Sequence, residues 1–323
     1  MELIIPSYEE DVFHFKNIKV SKIGRSFDKF GAIGTRIERY LYKNYYSTRY
    51  VRKIQAISVD MLQFFSKSGC DVVAIYDAIP EIFEDDFRKI YSDKMYKKKV
   101  NQKENAYKKA KLVLTDSECA KRDLERVFKT KKPIRVIPCG WDHMLKITED
   151  NSVLERLNLN QKKFFFSLGS RFPHKNIKWL SSAASNNPAY TFVVSGSVPE
   201  VDRIDYEGEH RDNMLFTGYL TDGEVKCLMR NCIAFIQPSF YEGFGIPPME
   251  AMSLGADCIV STGGSLPEVY KDSVWYIDPY DYENIDLDEI MSRPKASNEL
   301  ILNEYSWEKS AKMLLSAIEQ YFK

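Results

Sequence analysis

Short apolar runs alternate with amphipathic segments through the second half of the chain. The runs are continuously apolar, which is typical of strands buried on both faces of a parallel sheet. Six of them occur, at 164–167, 190–194, 214–217, 233–237, 258–260 and 274–277. Helical periodicity between them predicts helices over 176–184, 222–230 and 248–255. This order of elements predicts a doubly wound, Rossmann-like α/β domain.

The first half has the same character with less regular spacing. Strand-like runs lie at 72–75, 112–115 and 134–137, and a Lys- and Tyr-rich helical stretch covers 91–111. A polar run, ITEDNS, ends at residue 152 and marks a join. We therefore predict two Rossmann-like domains, residues 1–152 and 153–323, with a cleft between them.

The chain ends in a predicted amphipathic helix over 307–322. Its apolar positions recur at the spacing of one helix face. They are Ala311, Leu314, Leu315, Ile318 and Phe322.

Charge separates the two halves although the whole chain is neutral, with 46 Lys+Arg and 46 Asp+Glu in 323 residues. Residues 1–150 contain 30 Lys+Arg and 22 Asp+Glu, a net of +8, so the remainder carries −8. A neutral total gives no support to nucleic-acid binding. The split indicates two domains with different partners.

Cysteine and histidine spacing indicates neither a disulfide framework nor a metal site. The six cysteines include no C-x-x-C pair, and the four histidines show no ligand spacing. The N-terminal sequence lacks the pattern of a signal peptide, and no apolar run reaches the ~18–20 residues of a membrane span. We expect a cytoplasmic protein without a bound metal.

Two carboxylates stand eight residues apart in the segment PSFYEGFGIPPMEAMSLG, residues 238–255. Gly243 and Gly245 free the backbone before a helix start, so the amides around Gly245 and Ile246 are expected to face an anionic ligand. Glu250, read as the third residue of that helix, could equally stabilise its first turn. Glu242 has no helical role, so it is either a surface charge or a ligand contact.

Two further segments offer donors to an anion. Arg171, His174 and Lys175 stand between a strand and a helix, where the helix dipole disfavours cations unless an anionic ligand joins them. A solvated basic loop is the alternative. The segment STGGSLPEVY at 261–270 ends a strand with small residues whose amides could meet an anion or a sugar. Dinucleotide, Walker A and nucleophile-elbow motifs are not found.

Taken in order, these segments resemble the glycosyl transferases group 1, the family 4 glycosyltransferases. Glu242 and Glu250 match that family's E-x7-E motif. Similar stretches are GGSLPEV at 263–269, FPHKN at 172–176, LTDSECAKRDL at 114–124, VIPCGWD at 136–142 and YSWEKSAKMLL at 305–315. The resemblance implies the GT-B fold and transfer from a nucleoside-diphosphate sugar, which is a co-substrate and not a cofactor.

The resemblance also implies a role for individual residues. Glu250 would contact the ribose hydroxyls, Glu242 would lie beside the donor sugar, and Lys175 with Arg171 would neutralise the diphosphate. The predicted catalytic set is Glu242, Asp77 and Tyr76. The other predicted donor-binding residues are Gly243, Phe244, Gly245, Ile246, Gly264, Ser265 and Leu266. Transfer would need no metal and would retain the anomeric configuration.

Two positions depart from the family's pattern. His174 stands where an arginine beside the lysine is common, so the second phosphate cation is either Arg171 or His174. Tyr76 stands before Asp77 where relatives carry histidine. No residue pattern identifies the transferred sugar or the acceptor. The family resemblance implies that the acceptor is a glycan or lipid-linked saccharide in surface polysaccharide biosynthesis. A non-catalytic nucleotide-binding scaffold, or an epimerase or phosphorylase of the same fold, stays as the alternative.

The basic stretch at 93–111 predicts contact with an anionic membrane surface. It contains eight lysines: Lys94, Lys97, Lys98, Lys99, Lys103, Lys108, Lys109 and Lys111. Lysines near a lipid surface each contribute ~1 kcal/mol to such binding. A solvated helix face is the alternative. We therefore expect a cytoplasmic enzyme that can lie on the inner face of a membrane.

Overall fold

The computed structural model describes residues 2–6, 19–23, 59–61, 69–129, 131–168, 172–196 and 211–322. The chain forms two compact units: Met1–Ile75 with Lys94–Leu114 and Thr130–Ile134, and Tyr76–Asp93 with Thr115–Lys129 and Arg135–Lys323. The predicted boundary between residues 152 and 153 and the predicted cleft stay predictions.

The first strands form two small sheets. Strands β1 (Glu2–Pro6) and β2 (Lys19–Ile23) are a parallel pair. A second sheet has the order β3-β4-β5-β6, with parallel pairing of β3 to β4 and of β4 to β5. Its strands are β3 (Val59–Asp60), β4 (Val72–Ala74), β5 (Leu112–Thr115) and β6 (Ile134–Val136). Strands β4 and β5 are buried along their length, as their continuous apolar runs predict.

Four helices accompany the second of these sheets in sequence. They are α1 (Ile79–Ile82), α2 (Glu84–Ile90), α3 (Asp93–Lys109) and α4 (Glu118–Phe128). Helix α3 confirms the helix predicted for the basic stretch. It buries Tyr96, Lys103, Ala106 and Tyr107, while the other seven lysines of 94–111 are exposed. Including Lys103 in the basic surface was therefore wrong, because its position faces the core.

A six-stranded parallel sheet organises the second half of the chain. Its strands are β7 (Phe164–Leu168), β8 (Thr191–Ser195), β9 (Met214–Gly218), β10 (Ala234–Gln237), β11 (Asp257–Ser261) and β12 (Trp275–Ile277). The order is β9-β8-β7-β10-β11-β12, and each neighbouring pair is parallel. This is the 3-2-1-4-5-6 order of the doubly wound Rossmann fold, which confirms the predicted class.

Alternate residues of each strand face opposite sides of this sheet, so each face has its own core. Phe164 and Phe166 join one apolar cluster, and Phe165 joins the other. The covering helices are α5 (Ser152–Arg156), α6 (Ile177–Asn186), α7 (Asp222–Asn231), α8 (Ile246–Ser253), α9 (Leu266–Tyr270), α10 (Leu287–Ser292), α11 (Asn298–Glu304) and α12 (Trp307–Tyr321).

Two helix predictions need correction. Helix α8 begins at Ile246, two residues before Pro248, because Gly245 adopts φ 82° as its N-cap and the prolines occupy the first turn. Helix α12 forms as predicted, but only part of the predicted apolar strip turns inward: Leu314, Ile318 and Phe322 are half-buried. Ser310 and Ala317 are buried, whereas Ala311 and Leu315 are exposed. The periodicity identified the helix but not the strip that its neighbours cover.

Candidate active site

The candidate site lies where the Rossmann sheet changes direction. Strands β7 and β10 are neighbours there, although β8 and β9 separate them along the chain. Lys175 follows β7, and Glu242 follows β10. Ligands of open α/β sheets bind outside the carboxyl ends of the strands at this switch point. The topology therefore brings together the two residues that the sequence analysis assigned to the donor.

Glu242 is a buried carboxylate held by two donors. Its Oε1 accepts hydrogen bonds from Lys175 Nζ at 2.8 Å and from Ser239 Oγ at 2.5 Å. The residue is only 7% exposed, so it is not a surface charge. Burial raises the pKa of Glu242, but the charge of Lys175 and the two hydrogen bonds outweigh burial and leave the pKa below its usual value. Glu242 is therefore an anion at neutral pH.

The glycine segment after β11 supports the backbone of Glu242. Ser265 donates to the Glu242 carbonyl oxygen through both its amide and its hydroxyl, each at 3.1 Å. Gly264 adopts φ 63°, and a Cβ there would lie 2.7 Å from the Glu242 nitrogen. Leu266 donates its amide to Gly263 and buries its side chain. In this structure the segment therefore supports the loop that carries Glu242, between β10 and α8.

Gly243 brings the loop that carries Glu242 against Tyr76 and Asp77. A Cβ at Gly243 would lie 3.0 Å from Asp77 Cβ and 3.1 Å from the Tyr76 carbonyl oxygen. The Gly243 carbonyl accepts from Ser117 Oγ at 2.6 Å. Asp77 Oδ1 also accepts from the Ile79 amide at 2.9 Å, at the start of α1. All three predicted catalytic residues, Glu242, Asp77 and Tyr76, thus lie close to Gly243.

The start of α8 presents backbone amides. Pro247 and Pro248 have no amide hydrogen, and the Met249 amide donates to the Tyr270 hydroxyl at 3.0 Å. Tyr270 in turn donates to the Gly245 carbonyl. Gly245 and Ile246 are therefore the residues whose amides are offered at this helix end. The Phe244 side chain packs edge-on against Tyr305 in the core, so only its backbone can contact a ligand.

Glu250 has a side-chain partner that the sequence analysis missed. Because α8 begins at Ile246, Glu250 is its fifth residue and does not cap the first turn. Its Oε1 lies 2.8 Å from His143 Nε2. The two residues are 107 positions apart, and no sequence pattern links them. The capping role offered as the alternative for Glu250 is therefore wrong.

His174 is buried and cannot supply the second phosphate charge. Its ring stacks with Phe87 and Phe172 at centroid distances of 6.0 and 5.9 Å, and it is 6% exposed. Burial lowers the pKa of His174 to about 4, so the ring is neutral at neutral pH. Arg171, the other candidate, lies outside the described residues.

Two further buried polar residues stand at strand ends beside this site. Gln237 is 3% exposed, and neither atom of its amide has a hydrogen-bond partner among the described residues. Asp116 follows β5, and its Oδ1 has no partner within the same set. Burial, with the nearby charge of Asp77, raises the pKa of Asp116 well above its usual value. The sequence feature that could have identified Gln237 and Asp116 is a polar residue at the end of a continuous apolar run.

Glu268, in the predicted anion-binding segment, has a structural contact instead. Its two carboxylate oxygens accept the amides of Glu118 and Cys119, at 2.7 and 2.9 Å. These amides belong to the first turn of α4, where the helix dipole favours a negative charge. Glu268 therefore ties the Glu242 loop region to α4.

A family comparison agrees with this geometry. Residues 151–307 match the model of the glycosyl transferases group 1. This region belongs to that family. O-antigen chain mannosyltransferase B of Escherichia coli is 31% identical over 54% of this chain and 50% of that protein. Serotype-specific mannosyltransferase WbdA of Escherichia coli is 39% identical over 38% of this chain and 16% of that protein.

The fold is also shared with solved glycosyltransferases. Anabaena HepE, solved with UDP and glucose, has a TM-score of 0.64 at 15% identity, covering 94% of this chain and 86% of that one. The chain therefore has the GT-B fold. The chain spans about half of mannosyltransferase B and a smaller share of WbdA.

The described residues offer neither a membrane span nor a metal-binding cluster. They contain no helix that is both long and apolar enough to cross a bilayer. Nor do they group three or more His, Cys, Asp or Glu residues so as to hold a metal ion. The expectation that transfer needs no metal stays a prediction.

Proposed function

We propose that the protein transfers one mannosyl residue from a nucleoside-diphosphate sugar to a saccharide acceptor, with retention of the anomeric configuration. The family match and the names of the two mannosyltransferase relatives support the reaction class and the sugar. The observation that carries the proposal is the ion pair between half-buried Lys175 and buried Glu242 at the switch point of the Rossmann sheet.

Each residue of the site then has a defined task. The ammonium of Lys175 and the amides of Gly245 and Ile246 stabilise the diphosphate as its bond to the anomeric carbon breaks. A carboxylate accepts hydrogen bonds from two neighbouring hydroxyls, which suits Glu250 to the ribose diol. Arg171 is the second cation of this proposal.

Glu242 acts as an anion beside the donor sugar. Because its pKa lies below the usual value, it accepts hydrogen bonds at neutral pH and cannot serve as a general acid. The two-carboxylate scheme of glycosidases needs one protonated carboxyl group. Glu242 is therefore not the acid of such a scheme. Asp77 and Tyr76, next to Gly243, are proposed to contact the reacting sugars.

The decisive experiment removes the Glu242 carboxylate. We expect Glu242→Ala to abolish mannosyl transfer while nucleotide binding is largely kept. Donor binding is measured first in wild type by thermal shift with GDP-mannose, UDP-glucose, a dTDP-sugar and an ADP-sugar, since a bound donor stabilises by RT ln(1 + [L]/Kd). Transfer is then followed by mass spectrometry, and the anomeric proton of the product by NMR.

A matched control replaces Glu283, an exposed carboxylate distant in sequence from the motif, with alanine. Unchanged turnover in Glu242→Ala would contradict the catalytic role. A flat thermal-shift response to all four donors would contradict the proposed function itself. An inverted anomeric proton in the product would contradict retention alone.

We further propose that the enzyme acts in surface polysaccharide synthesis at the cytoplasmic face of a membrane. The relatives named for O-antigen chains support the pathway class. Helix α3 exposes Lys94, Lys97 and Lys98 on one side, as their i, i+3, i+4 spacing requires. Liposomes containing anionic lipid should bind the protein at low salt and release it at high salt. Equal binding to neutral liposomes would contradict the electrostatic contact.

A further inference from the structure

Among the described residues, His143 makes the one side-chain hydrogen bond to the Glu250 carboxylate. The imidazole Nε2 lies 2.8 Å from Glu250 Oε1. A hydrogen bond to an ionised carboxylate is shorter and about twice as strong as one between neutral groups. The carboxylate that the family assigns to the ribose is therefore held at one oxygen by a residue from a distant part of the chain.

The other side of the imidazole fixes which nitrogen carries the proton. Trp307 Nε1 lies 2.9 Å from His143 Nδ1. An indole nitrogen can only donate, so Nδ1 must be the acceptor of this bond. The proton of the neutral ring is then on Nε2, where it points at Glu250. The chain of donors runs from Trp307 through His143 to Glu250.

His143 lies in a short 3-10 helix, Asp142–Lys146, whose start is anchored to α11 and to the start of α12. Asp142 Oδ1 accepts the Trp307 amide at 2.6 Å, and Trp141 Nε1 donates to the Leu302 carbonyl at 3.0 Å. The close approach of Gly140 to the Trp307 backbone leaves no room for a side chain there. The backbone around His143 is thus held by contacts that do not involve Glu250.

We propose that His143 is a positioning residue for Glu250: it holds one carboxylate oxygen so that the other faces the ribose hydroxyls of a nucleoside diphosphate. The inference rests on the proposed function, because it assumes that Glu250 binds ribose. It assigns to His143 and Trp307 a part in donor recognition that lies outside the E-x7-E segment.

The test combines protein and ligand changes in one cycle. Binding of GDP and of 2′-deoxy-GDP is measured by calorimetry for wild type, His143→Phe and His143→Gln, and repeated with UDP and 2′-deoxy-UDP. Phenylalanine keeps the ring but removes the donor, whereas the glutamine amide can still donate. Trp275→Phe is the matched control for Trp307→Phe, because Trp275 Nε1 donates to the Arg293 carbonyl at 2.8 Å, outside the His143–Glu250 contact.

Wild type should bind the ribonucleotide about ten-fold more tightly than its 2′-deoxy form, a difference of about 1.4 kcal/mol. In His143→Phe that preference should shrink to about two-fold, His143→Gln should restore most of it, and Trp307→Phe should fall between. A full preference in His143→Phe would overturn the inference while leaving the proposed function intact. Failure of every nucleotide to bind wild type would overturn both. If His143→Phe does not fold, the Trp307→Phe and Trp275→Phe pair decides.

Discussion

The hydroxyl of Tyr270 is a single group on which the start of α8 depends, and its removal gives a sharp stability prediction. The residue is fully buried. Its hydroxyl accepts the Met249 amide at 3.0 Å and donates to the Gly245 carbonyl. Burial raises the pKa of Tyr270 well above its usual value, so the hydroxyl stays protonated at any workable pH. Tyr270→Phe keeps the ring and deletes both bonds.

The magnitude follows from the groups left behind. A buried donor or acceptor without a partner destabilises a fold by ~1–3 kcal/mol. The substitution leaves the Met249 amide without its partner and removes one hydrogen bond from the Gly245 carbonyl. We therefore expect a loss of about 2–3 kcal/mol in the free energy of unfolding. For a unit of this size that corresponds to a fall of roughly 5–10 °C in Tm.

Urea unfolding followed by tryptophan fluorescence measures the loss. Tyr276→Phe is the matched control, because its hydroxyl is 3.4 Å from the Leu266 carbonyl and the residue is only half-buried. That control should lose less than about 1 kcal/mol. A loss below about 0.5 kcal/mol in Tyr270→Phe would show that the Met249 amide and the Gly245 carbonyl find other hydrogen-bond partners. It would also remove the reason for expecting the amides of Gly245 and Ile246 to be held in place.

Three further changes test the surroundings of Glu242. Glu268→Ala should destabilise by about 1 kcal/mol, because α4 loses its N-terminal carboxylate; urea midpoints unchanged within error would refute this. His174 has a folded pKa of about 4 against about 6.5 unfolded. The unfolded state therefore binds more protons between these values, and stability decreases as the pH is lowered through that window. From pH 7.5 to 5 wild type should lose about 2 kcal/mol more of its free energy of unfolding than His174→Phe. Equal losses in the two proteins, measured by urea unfolding at both pH values, would contradict a buried neutral ring. Gly264→Ala should cost about 2 kcal/mol or more, since φ 63° and the nearby Glu242 backbone leave no room for a methyl group; a variant with native Tm and full transfer would show that the loop can move.

The sequence predicted the Rossmann half well because its information is local. Runs such as Phe164–Ser167 and Ile233–Gln237 are buried on both faces, so continuous hydrophobicity identified them within a residue or two. The pairing of His143 with Glu250 could not be predicted in this way. It forms only when the 3-10 helix Asp142–Lys146 packs against α8, and no sequence period spans the 107 residues between the two side chains.

Buried polar residues were missed for a related reason. Gln237 ends an apolar run, and the sequence alone does not tell whether its amide faces solvent or the core. His174 lies in a basic segment, where local composition indicated a phosphate contact, yet the packing of Phe87 and Phe172 makes it neutral. Charge state depends on burial, and burial depends on tertiary neighbours that the local pattern does not contain.

The Lys175–Glu242 ion pair determines the sign of one last prediction. Lys175 Nζ already contacts a carboxylate at 2.8 Å, so an incoming diphosphate must share this ammonium group with Glu242. Glu242→Gln removes the competing charge while keeping the side-chain volume. It should therefore bind a nucleoside diphosphate as tightly as wild type or more tightly, although it transfers sugar poorly.

Lys175→Met is the opposite change and should weaken nucleotide binding at least ten-fold, because the diphosphate loses its cation. Calorimetry with the nucleoside diphosphate of the donor found by thermal shift measures both variants. If Glu242→Gln instead lost binding as strongly as Lys175→Met, Glu242 would contribute directly to nucleotide affinity. Its role could then not be confined to the transferred sugar, because a residue that acts only beside that sugar has no contact to lose when the sugar is absent.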